Sequence, residues 1–207
     1  MKIWLGPLAA ASISTACIAG ATDNETYDTI FRSGTLDALP EASVIEYAET
    51  GGVADQTLRL TIGSENLTEL VRIRGQQRGA IGQFPTDVGN PLIMYYMENA
   101  VRAVAEKSGG SPFYIRNRFK EALLDEAEHE PVLLILEGIE VSGERLVLHP
   151  LEGDVNAEAA GFDDLALEVT VSPDVPGWYY SLAVSGGGEP AAVSQRIEIS
   201  DVEQASE

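Results

Sequence analysis

Leu165-Ala166-Leu167-Glu168-Val169-Thr170-Val171 and, one turn later, Trp178-Tyr179-Tyr180-Ser181-Leu182-Ala183-Val184 are the stretches whose reading decides the fold. Leu165, Leu167, Val169 and Val171 alternate with Ala166, Glu168 and Thr170, and Trp178, Tyr180, Leu182 and Val184 alternate with Tyr179, Ser181 and Ala183. Successive strand side chains point to opposite faces, so a period of two gathers each apolar set on one face. Both stretches are predicted as half-buried strands. The alternation recurs upstream in Leu58, Leu60 and Ile62, interleaved with Thr57, Arg59 and Thr61. After the turn Gly63-Ser64-Glu65-Asn66, Leu70-Val71-Arg72-Ile73-Arg74 completes an antiparallel hairpin with its arginines on the wet face.

Further strands are predicted at Val44–Glu49, closed by Gly51-Gly52, at Leu146–Leu148 before Pro150, and around Val193, Ile197 and Ile199 after Gly186-Gly187-Gly188. Val132-Leu133-Leu134-Ile135-Leu136 is an unbroken apolar run, which implies a strand covered on both faces. Ile30-Phe31 starts a strand within the polar entry segment 22–40, whereas the Gly- and Gln-rich residues 75–90, with Pro85, and the acidic residues 151–163 read as loops. Two helices lie between the strand sets. Asn90 caps the first and Pro91 opens it, its stripe is Ile93, Met97, Ala100, Val101 and Val104, and Gly109-Gly110 stops it. Ser111 caps the second and Pro112 opens it, with Ile115, Phe119, Ala122 and Leu123 as the buried stripe. Strands, a helical pair and more strands exclude an alternating parallel fold. The expectation is α+β: a curled antiparallel sheet, barrel or half-barrel, of about eight strands with the helical pair plugging or capping it.

The N-terminus sets an address. Lys2 precedes an uncharged, largely apolar stretch that runs to Asp23, and Ala19 and Ala21 stand where a signal peptidase requires small residues, so 1–21 reads as a secretion signal and the protein as periplasmic. Thr15-Ala16-Cys17 also resembles the end of a lipobox, which would place a lipid on Cys17, but Ser14 stands where such signals carry a large aliphatic residue. An uncleaved span is disfavoured because Gly6-Pro7 leaves the run short of the roughly 20 residues that a bilayer requires. Residues 22–200 suffice for a single domain, and 201–207 read as a frayed acidic tail. Cys17 is the only cysteine, so the rest of the chain has no thiol chemistry.

A net charge of −20 argues against nucleic-acid partners. The charge is uneven, because residues 72–120 hold an excess of bases over acids. Within them, Tyr114, Arg116, Asn117, Arg118 and Lys120 form a basic and aromatic cluster on the polar side of the second helix, and Arg forks in that setting suit an anionic headgroup or partner. Tyr96 joins this candidate ligand- or partner-binding set; pairing of the bases with the chain's own acids is the competing reading. His129, among Glu126, Glu128 and Glu130, and His149 have no recognisable catalytic or metal setting. Gly109-Gly110-Ser111-Pro112-Phe113 departs from a nucleophile elbow, and Gly186–Gly188 lacks the helix that a phosphate loop needs. No cofactor, metal or catalytic residue is expected.

Gly89-Asn90-Pro91-Leu92-Ile93-Met94-Tyr95-Tyr96 and Gly109-Gly110-Ser111-Pro112-Phe113-Tyr114-Ile115-Arg116-Asn117-Arg118, with Gly34-Thr35-Leu36-Asp37-Ala38-Leu39-Pro40, resemble a group of exported proteins of alphaproteobacteria. The resemblance implies export and no particular activity. The expected function is a non-enzymatic envelope protein that binds an amphiphilic or anionic ligand, such as a lipid, or another envelope component. The rivals are a hydrolase whose carboxylate pair meets only in the fold and a structural protein docking an acidic partner.

Overall fold

The computed structural model describes residues 24–52 and 54–205; the expected signal segment, Cys17 included, lies outside them. The elements are α1 (Glu25–Ile30), β1 (Val44–Thr50), β2 (Gln56–Ile62), β3 (Leu67–Arg74), β4 (Gln77–Pro85), α2 (Leu92–Ser108), α3 (Pro112–Ala122), β5 (Glu128–Leu136), β6 (Ile139–Leu148), α4 (Val155–Ala160), β7 (Ala166–Val171), β8 (Tyr179–Gly186) and β9 (Val193–Glu203). All nine strands form one antiparallel sheet in the order β4-β3-β2-β1-β9-β8-β7-β6-β5. The α+β class is therefore observed. The ends β4 and β5 do not pair with each other, so the sheet is open and the closed-barrel form of the expectation is corrected.

Two meanders, β1–β4 and β5–β9, meet at one seam where β1 runs against β9 from Val44 opposite Glu203 to Thr50 opposite Arg196. The face carrying Ile45 and Tyr47 of β1, Leu58 and Leu60 of β2, Leu167 and Val169 of β7 and Leu182 of β8 is buried. Against it α2 packs Leu92, Ile93, Tyr96, Ala100, Val101 and Val104; Ile93, Ala100, Val101 and Val104 belong to the expected stripe, Leu92 and Tyr96 join it, and the expected Met97 is only partly buried. Each buried leucine, isoleucine or valine of this layer contributes about 1.5–3 kcal/mol.

Several local expectations are corrected. Ile30 closes the short helix α1, whose start is capped by Asn24 accepting from the Tyr27 N–H at 2.9 Å. Residues 77–85 form an edge strand instead of a loop; an edge asks for only one hydrogen-bonded neighbour, which tolerates Gly79, Gly82 and a terminal Pro85. The 151–163 loop contains α4, capped by Asp154. The tail is ordered in its first part, because Asp201, Val202 and Glu203 pair with β1. A bulge opposite Thr170 and Val171 shifts the register of β8, so Tyr179 is 1% exposed while Tyr180 moves out of the predicted buried stripe. Arg72 and Arg74 are exposed but lie on the face of Leu58 and Leu70, while Val71 is buried on the other face.

Helix α2 is fixed at its start by Asn90, which is 3% exposed and sits one place before the Pro91 cap position. Its Oδ1 accepts from the Leu92 N–H at 3.0 Å, and its Nδ2 donates to the Tyr47 hydroxyl and the Gly177 carbonyl at 2.9 Å each. One amide thus ties the helix to β1 and to the β7–β8 connection. Replacing it with alanine strands three buried polar groups, each costing about 1–3 kcal/mol. Asn90→Ala is expected to lose about 3 kcal/mol or more in urea unfolding followed by far-UV circular dichroism.

Candidate functional site

The polar side of α3 is the first place to look. Gly109, at φ 71°, ends α2 in the left-handed region that favours glycine, and Pro112 opens α3 with its buried side, Ile115 and Phe119, turned inward. Ser111 occupies the cap position but makes no side-chain capping bond; the Gly110 N–H instead donates to Ser108 Oγ at 3.1 Å.

On the outer side, the bases meet the chain's own acids. Arg116 Nη2 donates to both Glu98 oxygens at 3.1 and 2.9 Å, and Arg102 Nε donates to Glu98 at 3.0 Å. The hydrogen bond from Arg116, aided by Arg102, holds Glu98 below its ordinary pKa. Arg118 Nη1 donates to Glu121 at 2.7 Å, with its Nε 3.6 Å from Asp154. The Tyr114 hydroxyl donates to Asp154, whose other oxygen accepts from the Asn156 and Ala157 N–H groups at 2.9 Å each and so caps α4. Asn117 is half-buried and Lys120 exposed. Tyr96 stands apart, buried in the core with its hydroxyl donating to the Ala183 carbonyl. The structure therefore brings together Tyr114, Arg118 and Asp154 as a brace between α3 and α4, with every guanidinium of the predicted set already holding a carboxylate.

His129 acquires a partner that its sequence neighbours did not reveal: Glu144 of the adjacent strand, 2.6 Å from Nδ1. The Thr26 hydroxyl, which lines the same recess as this pair, is buried and accepts from the Ala127 N–H at 2.9 Å. No group of three or more His, Cys, Asp or Glu side chains suited to a metal occurs among the described residues, and no described helix is long and apolar enough to cross a membrane.

The surface that stands out is the β5–β6 hairpin. Its tip is Glu137-Gly138 at φ 50° and 81°, the positive pair that a tight two-residue hairpin requires. The run 132–136, expected to be covered on both faces, is an edge strand in which Leu134 alone is buried, at 7% exposure. Leu133 and Ile135 are 68% and 58% exposed, and Ile139 across the turn is 66% exposed. Leu133 and Ile135 lie on the face that continues to the core residues Leu146 and Leu148. The core face thus runs on past its cover. Pro131 and the glutamates around it are the edge signals that could have revealed this, since proline and charge are tolerated where no second neighbour bonds. Comparison with known protein families and with curated proteins finds no match, and the geometry alone carries the functional reading.

Asp154 supplies a test of the α3–α4 brace. Hydrogen bonding from Tyr114, with the Ala157 N–H next, lowers its pKa, so its stabilisation is complete above the unfolded carboxyl value of about 3.9 and disappears as pH falls through the lower folded value. Asp154→Ala is expected to cost about 1–2 kcal/mol at pH 7 through the lost cap. The gap from the parent should close on acidification below the usual carboxyl range, read from denaturation midpoints at a series of pH values.

Proposed function

We propose that the chain is a non-enzymatic protein of the cell envelope, exported to the periplasm, that holds an envelope partner along the β5–β6 hairpin. The occupant is an extended segment that is apolar and flanked by lysine or arginine. Leu133 and Ile135, exposed at 68% and 58% on one face of the edge strand β5, carry this reading, with Ile139 exposed across the turn on the other face, because apolar surface beside an unpaired strand edge favours a partner. Charge complementarity selects the partner: Glu137 and Glu140 stand at the apolar tip, Glu128 stands at the far end of β5, and none of the three forms an ion pair among the described residues. A second copy would bring the same carboxylates against themselves.

Backbone pairing is restricted at this edge. Pro131 offers no N–H, and the Ile135 carbonyl accepts from the Tyr180 hydroxyl at 3.2 Å. Side-chain burial therefore supplies most of the attraction, with a short strand addition around Leu133 fixing direction. The half-barrel curl of the sheet belongs to the same proposal; one buried cluster that draws on β1, β2, β6–β9 and α2 supports it, and it leaves the hairpin projecting at one end. That interior is filled by side chains, which favours a surface partner over an amphiphile held inside the sheet.

Fluorescence anisotropy with a labelled peptide of alternating lysine and valine should show saturable binding that weakens steeply with salt. The glutamate–valine analogue should not bind. Leu133→Ser with Ile135→Ser should weaken the complex by about tenfold or more, since buried apolar anchors dominate such interfaces. Equal binding of both peptides, binding of neither, or self-association of the free protein in sedimentation would each sink the reading.

A further inference from the structure

The opposite end of the sheet carries the reverse chemistry. Arg59, Arg102, Arg116, Arg118, Arg145 and Arg196 each hold a carboxylate, and Arg32 lies 4.5 Å from the centroid of the Trp178 ring. Arg72, Arg74 and Arg78 hold none among the described residues, although the chain contains 33 acids. With Gln77 and Gly79 these three line one recess where β3 meets the edge strand β4.

The recess is built. Gln56 Oε1 accepts from Arg74 Nη2 at 2.8 Å, and Gln56 Nε2 donates to Glu49 at 2.6 Å and lies 3.1 Å from the Tyr95 hydroxyl, which itself donates to Glu49 at 2.8 Å. Glu49 is 7% exposed, so the chain that orients Arg74 is anchored inside the protein. A neutral amide oxygen thereby positions the guanidinium without cancelling its charge. The Arg72 guanidinium lies over Gly79, where a side chain's Cβ would come within 3.6 Å of Nη2. Glu69, the acid on β3, projects from the other face of the sheet, opposite Thr61; Arg78, opposite Ile73, stands on that other face by register and borders the recess from the β4 edge. The carboxylate nearest to them, Glu49, is buried and engaged by Gln56 and Tyr95, so the exposed guanidinium groups hold no direct ion pair among the described residues, and an oxyanion bridging their forks relieves their mutual repulsion.

We propose that Arg72, Arg74 and Arg78, with Gln77 beside them, form a binding site for a doubly charged phosphate group, carried by a soluble ligand or displayed by a membrane lipid. The site is independent of the hairpin. Isothermal titration with inorganic pyrophosphate in low salt should give saturable binding that weakens as salt rises. Arg72→Gln and Arg78→Gln should each reduce affinity by about tenfold or more, because each removes charge-assisted bonds. Gln77→Glu, which adds an internal counter-charge and removes no arginine, should do the same with unchanged thermal unfolding.

Co-sedimentation with phosphatidylcholine vesicles containing phosphatidic acid distinguishes the sources. Vesicle binding lost in the Arg72 and Arg78 variants assigns a lipid headgroup, and pyrophosphate binding without vesicle binding assigns a soluble ligand. Absence of both, arginine variants that bind like the parent, or binding abolished by Lys120→Gln on α3 instead, overturns the proposal. The Leu133→Ser, Ile135→Ser protein should bind pyrophosphate normally, which keeps failure of this site separable from failure of the hairpin.

Discussion

The pairing of β1 with β9 is the constraint on which everything else depends. Each meander alone would expose an edge at the seam and half of an apolar face; joined, they make one floor broad enough for α2 to cover. The joint is reinforced from above. Asn90 bonds to Tyr47 on β1 and to Gly177 beside β8, while the Tyr179 hydroxyl donates to the Ile30 carbonyl at 2.6 Å and Trp178 Nε1 to the Thr29 carbonyl at 2.9 Å. Residues at opposite ends of the chain thus lock the same region, and the floor forms only when the last strand arrives. Loop-closure entropy must be met before these contacts reward it, so the seam is the slow and cooperative element of the fold.

An open sheet has two edges to manage, and this one manages them differently. At β4 the edge is thinned by Gly79 and Gly82 and lined by arginines; at β5 it is guarded by Pro131, Glu128 and Glu130, with an apolar run between them and the turn. Proline and charge are the usual means of blocking strand addition. At β5 they stand at the ends of the run, which leaves Leu133 and Ile135 uncovered in the middle. A purely defensive edge would place its charge there.

Much of the sheet was legible because its stripes have period two and a single wet face: Leu58, Leu60 and Ile62, and Leu167 and Val169, are buried as their alternation implies. The helical pair was legible from Pro91, Gly109 and Pro112. What misled was context that one strand cannot contain. The run 132–136 is as apolar as a doubly covered strand, but coverage depends on which neighbours exist, and β5 has one. Residues 77–85 hold only two strand-forming side chains, Ile81 and Phe84, among Gly, Gln and Pro, and pairing with β3 overrides that weak preference. The α3 cluster was legible as a set of residues but not as a site, because Glu98 and Asp154, which occupy its bases, come from α2 and from the start of α4. Arg72 and Arg74 were seen as wet-face arginines; only the register against Leu58 and Gln56 shows that they share the helix-covered face.

Segregation of charge follows from the topology. The two ends of the sheet are eight strand spacings apart, which at about 4.8 Å each is roughly 38 Å along the sheet. Even bent into a half-circle, that separation far exceeds the screening length of about 8 Å at physiological salt. Arginines beside β4 therefore feel little of the carboxylates around β5, and the two edges hold opposite counter-charges without competing. The intervening wet face is neutralised locally by cross-strand pairs, Arg59 with Glu46 at 2.5 Å and Arg145 with Glu130. Arg72, Arg74 and Arg78 at the β4 edge and Glu128, Glu137 and Glu140 of the β5–β6 hairpin are not neutralised in that way among the described residues, although acids are plentiful elsewhere in the chain. An open sheet keeps chemically opposite ends apart, whereas closing it into a barrel would have brought the arginines against the glutamates and cancelled both.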